Sequence, residues 1–148
     1  MIDYRLARAL HVLALVWWIG GVAIATSIVL PGGRKKGELE AFRDFELRFA
    51  PQARTCVLVV GITGLYMLWR LNAWSWFTRA PQPWLHAMVG LWLLFFILLF
   101  ILEPLGLPER FMKSKDGPAK GLMRAEAFHW VLLLLSLVTI AFGVVASP

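Results

Sequence analysis

The stretch ALHVLALVWWIGGVAIATSIVL, residues 9–30, decides the fold class. As a helix it is about 33 Å long at 1.5 Å per residue, enough to cross a hydrocarbon core of about 30 Å. It is too long for the apolar region of a secretory signal, so it is expected to stay as the first membrane span. Three more stretches match it, giving expected helices at about 4–30, 53–71, 84–102 and 124–146. Backbone groups in lipid must bond within their own segment, so each stretch is read as a helix. The whole chain agrees: 148 residues, 59% hydrophobic and 16% charged, with eight tryptophans and a mean hydropathy of +0.70. That balance excludes a soluble domain.

The single cysteine, Cys56, excludes an internal disulfide and any CxxC redox or cysteine-based metal site. The sequence pI of about 10.1 does not call for nucleic acid, because topology accounts for the charge. Arg34, Lys35, Lys36, Arg43, Arg48 and Arg54 lie between spans one and two. Arg110, Lys113, Lys115, Lys120 and Arg124 lie between spans three and four, and only Arg5, Arg8, Arg70 and Arg79 lie at the other ends. The positive-inside rule therefore places both rich loops in the cytoplasm and both termini outside it. The expected architecture is all-α: one domain, a four-helix transmembrane bundle, antiparallel and up-down-up-down, in a bacterial inner membrane. Small residues such as Ala14, Gly21, Gly61, Gly64, Gly90 and Gly143 would let the helices approach closely. The first loop opens with the breaker PGGRKKG. Leu39, Phe42, Phe45 and Phe49 then predict an interfacial amphipathic helix at 38–50, leading into the second span at Pro51.

All three histidines fall inside or at the edge of a span, where ionisable groups are costly and point to function. His11 and His86 enter from the same side at similar depth, an arrangement suited to the axial ligands of a planar metal cofactor. Trp18 shares the face of His11, and Gly90 lies one turn from His86 and leaves room beside it. Arg8 and Arg79, with Arg5 and Arg70, could pair with haem propionates. Copper, held by His11, His86 and the Met88 thioether, is the weaker alternative. His129 lies at the opposite end of the bundle near Glu103 and Glu126. That group could bind a proton or a quinone headgroup, although a capped, solvated helix end is the simpler reading.

Taken together, the segments resemble the four-helix bacterial membrane proteins related to HemJ, the oxygen-independent protoporphyrinogen oxidase, and to the membrane domain of CopD copper-resistance proteins. The resemblance is carried by HVLALVWWIGG with His11, Trp18 and Gly21, by VLVVGITGLYML, by Trp84-Leu85-His86, and by MRAEAF with Arg124 and Glu126. It implies haem b on the matching histidines. Two departures count against oxidation of an acidic tetrapyrrole: Ala87 and Met88 stand where a Lys usually follows the third-helix His, and ATSIVLP replaces an Arg-bearing end of the first helix.

The function expected from the sequence is that of a cytochrome b-like haem b protein, passing electrons from a membrane donor such as quinol to an outer-side acceptor. It would act alone or with partner membrane subunits, with His11 and His86 as metal ligands and Trp18, Gly21, Gly90, Arg8 and Arg79 around the cofactor. The alternatives are a HemJ-like oxidase, a copper-handling protein and a cofactor-free structural subunit. No catalytic residue is identifiable.

Overall fold

The computed structural model describes residues 2–36, 39–78, 82–107, 110 and 117–146. Four long helices make up nearly all of it, with no strand among the described residues: α1 (Ile2–Lys36), α2 (Glu40–Arg70), α3 (Pro83–Leu102) and α4 (Pro118–Ala146). Each is long and apolar enough to span a membrane. The outward faces carry Leu13, Val16, Trp17, Ile62, Leu134 and Val138, all exposed, as expected of side chains that meet lipid rather than water. The chain is a multi-pass membrane bundle. Its helices alternate in direction, with α1 packed most extensively on α2, and α4 on α3 and the end of α1.

Three boundaries differ from the sequence expectation: α4 starts at Pro118 rather than near 124, and the other two fall around the first loop. The PGG segment does not end α1, which continues to Lys36 because its last turns bury Leu30 and Gly33 against α4. Arg34 Nε then meets Glu126 Oε2 at 2.8 Å, tying the end of α1 to the start of α4. The amphipathic segment is not a separate helix either. It forms the first turns of α2, which runs unbroken through Pro51, with Phe42 fully buried against Leu30, Leu122 and Ala125. α2 ends at Leu71 and Asn72, whose φ of 50° is a left-handed conformation that asparagine tolerates. A short 3-10 turn, Ala73–Phe77, follows.

α1 and α3 each contain one π-helical turn, at Ala25–Val29 and Leu98–Leu102. In the first, the Leu30 N–H donates to Ala25 O. In the second, the Glu103 N–H donates to Leu98 O at 2.9 Å. Such turns widen the spiral and leave carbonyls needing other donors. Thr26 and Ser27 donate their hydroxyls to Val22 O and Ala23 O, both at 2.6 Å, and Arg54 Nε donates to Leu99 O at 3.0 Å.

Glycines act as notches for large side chains. Gly21 lies under the Phe49 ring, Gly143 under the Met88 methyl and Gly61 under the Trp92 indole. Trp92 Nε1 donates to Val57 O at 2.8 Å, one helical turn before that notch. A β-carbon at Gly61 would stand 2.6 Å from the indole, so Gly61→Ala must displace Trp92 and strain its hydrogen bond. The expected cost is about 1–3 kcal/mol, the usual range for overpacking. Thermal or SDS unfolding of the purified protein reads it, with Gly90→Ala unchanged because nothing lies within 4 Å of that position.

Candidate functional site

The three imidazoles share a tautomer that can be read from their partners. His129 Nδ1 lies 2.9 Å from Ala125 O and His86 Nδ1 3.0 Å from Gln82 O. A carbonyl only accepts, so both Nδ1 atoms carry the proton. His11 Nδ1 lies 2.9 Å from Thr63 Oγ1, whose own hydrogen goes to Val59 O at 2.6 Å. The hydroxyl is therefore the acceptor and His11 Nδ1 the donor. In each ring, Nε2 keeps its lone pair for a ligand.

The surroundings of the rings differ. His11 is half-buried in the contact between α1 and α2, with Gly64 next to the ring. His86 is exposed and meets Phe77 edge-on, with ring centroids 5.4 Å apart. Met88 packs on Gly143 of α4. Gly90 and Arg8 are exposed, Gly21 is closed by Phe49, and Arg79 lies outside the described residues. Each imidazole alone is a competent ligand: His11 sits against Thr63 and Gly64 of α2, and His86 against Phe77. Trp18, expected beside a haem, is 1% exposed and meets Phe95 edge-on with centroids 4.5 Å apart. Among the described residues, no group of three His, Cys, Asp or Glu side chains is placed to hold a metal ion.

Trp18 instead lines a cavity of about 730 Å³ in the lysine- and arginine-rich half of the bundle. All four helices line it: Trp18, Val22 and Ala25 from α1, Phe42 to Ala53 from α2, Phe95 to Leu102 from α3, and Ala125 to Leu132 from α4. The walls follow helical spacing, since Trp18, Val22 and Ala25, like Phe42, Phe45 and Phe49, each fall on one face. The polar lining comes from Glu46, Glu103, Arg110 and His129. Neither His11 nor His86 lines it.

Comparison with protein-family models, curated proteins and solved structures finds no match. The site therefore has to be read from its own chemistry. Its walls are mainly apolar and aromatic, with a few polar groups.

His129 is the residue that sequence reasoning undervalued. Its edge-on contact with Phe42, centroids 5.6 Å apart, holds it at the wall of the cavity. The signal was present in the aromatic stripe Phe42, Phe45 and Phe49, which reads equally well as a lipid-facing surface. The neighbouring Glu103 pairs with Arg54 Nη2 at 3.2 Å, and the same guanidinium holds Leu99 O. Burial pushes the Glu103 carboxyl above its ordinary value, and Arg54 pulls it part of the way back. The folded carboxyl thus keeps its proton to a higher pH than the unfolded one. Its contribution to stability is fully present below about pH 4.3 and declines as pH rises toward the folded value. Arg54→Met removes the opposing charge, so Glu103 should titrate at a still higher pH. Infrared difference spectroscopy of the protonated carboxyl band checks this, with Glu103→Gln identifying the band.

Proposed function

We propose that this chain is a bacterial inner-membrane protein that binds a lipid-soluble redox carrier of the quinone class in the cavity at its basic end, which the positive-inside rule assigns to the cytoplasmic leaflet. The observation that carries this reading is the four-helix cavity of about 730 Å³, apolar and aromatic along its depth, with His129 and Glu103 among its few polar groups. A substituted benzoquinone or naphthoquinone ring fits between aromatic side chains by stacking and edge contacts. Its oxygens find partners among the polar lining, and its chain leaves toward lipid. This keeps the expected role in membrane electron transfer and places the carrier at the opposite end of the bundle from the His11 and His86 pair. Any partner membrane subunit would complete the electron path.

The resemblance to haem-binding membrane proteins has a separate test. A reduced-minus-oxidised optical spectrum of the purified protein with a Soret band, lost in both His11→Ala and His86→Ala, would support a haem between those rings. For the quinone reading, a decyl-chain benzoquinone titrated into the protein in nanodiscs is expected to bind saturably, as measured by calorimetry. Val22→Phe, which fills the cavity, should weaken binding by about tenfold or more, the scale of a lost well-packed contact. His86→Ala should leave it unchanged. Equal binding by wild type and Val22→Phe would place the ligand elsewhere.

A further inference from the structure

We infer that this cavity selects the reduced form of its carrier: it binds a hydroquinone in preference to the quinone, with His129 Nε2 accepting a hydroxyl proton in a hydrogen bond. The inference rests on the quinone-class reading of the cavity and adds a direction to it.

The argument starts from Ala125. Its carbonyl lies 2.9 Å from His129 Nδ1, and a carbonyl oxygen has no proton to give. In the neutral ring Nδ1 therefore carries the hydrogen and Nε2 presents a lone pair. No hydrogen bond reaches Nε2 among the described residues, while the ring itself lines the cavity and is braced edge-on by Phe42. Rotation to present the other nitrogen would break the bond to Ala125 and the contact with Phe42. The protein thus offers the ligand a fixed acceptor.

Glu46 and Glu103 also line the cavity, and Arg54 engages Glu103. The guanidinium of Arg110 belongs to an exposed residue. A hydroquinone carries two O–H donors and meets an acceptor at His129 Nε2. A quinone carries two carbonyls, and at His129 it would set lone pair against lone pair. A buried acceptor facing an acceptor forgoes a hydrogen bond and keeps the desolvation cost, which corresponds to roughly tenfold or more in affinity. Other lipid-soluble molecules with a hydroxyl group share the donor chemistry, but a long-chain alcohol lacks the ring that the aromatic walls accept.

The test is anaerobic calorimetry on the full chain in nanodiscs, with a decyl-chain hydroquinone and its quinone as paired probes and decanol as the control. The hydroquinone is expected to bind at least tenfold more tightly than the quinone, with decanol far weaker than either. In His129→Phe the preference should collapse to near unity, with quinone affinity nearly unchanged because the ring contact with Phe42 survives. In His129→Gln, whose amide can both donate and accept, the ratio should fall between those of wild type and His129→Phe. Equal affinities in the wild type, or tighter quinone binding, would overturn the inference while leaving the carrier reading intact. Binding of neither probe would defeat the carrier reading itself. The wild-type comparison needs no variant, so a misfolded His129 mutant cannot rescue the idea.

Discussion

In a hydrocarbon interior a polar side chain has no water to turn to, so it bonds within its helix or finds a neighbour. Thr26, Ser27, Thr55, Thr63 and Ser136 each return a hydroxyl hydrogen to the carbonyl four residues earlier. His86 and His129 do the same with Nδ1–H, and His11 reaches the hydroxyl that Thr63 has oriented. This local satisfaction lets polar residues sit in the bundle without opening it. It also sets which nitrogen of every imidazole is spent and which remains, so the hydrogen-bond economy of the membrane fixes the chemistry offered to a ligand.

Packing divides the bundle lengthwise. Away from the cavity, Gly61 and Gly143 receive Trp92 and Met88, and close contact leaves little room. Toward the basic end the π-turns of α1 and α3 widen the spiral, and aromatic side chains stand around a chamber. Arg54 serves both regions, taking the carbonyl of Leu99 in a widened turn and the carboxylate of Glu103 just beyond it. One side chain of α2 thus ties down the end of α3 that forms part of the cavity wall.

The four spans were legible because length and apolarity are set by the thickness of a bilayer and survive any arrangement of the helices. The rotation of the helices was not. PWLHAMVGLWLLFFI is apolar on every side, so nothing in it says that His86 and Gly90 face outward while Leu85 and Leu91 face inward. Pro31 and Pro51 misled in a related way. In water, proline and glycine usually end a helix, but α1 passes through PGG while burying Leu30 and Gly33, and α2 passes through Pro51. His129 looked like a decorated helix end because its partners across the cavity, Phe42 above all, are distant in sequence and become neighbours only once α2 and α4 are placed.

The π-turns carry a consequence for how this molecule can change. Each holds one more residue than an α-turn would need, so everything beyond it is rotated by about 100° relative to the preceding stretch. Loss of a residue there would swing Leu102 and Glu103 to another side of α3 while leaving His86 where it stands. The two ends of α1 and α3 thus have separate angular settings, joined at Ala25–Val29 and Leu98–Leu102. Insertion and deletion at two short segments can retune the chamber as a dial is turned, with the opposite rim of the bundle free to follow a different history.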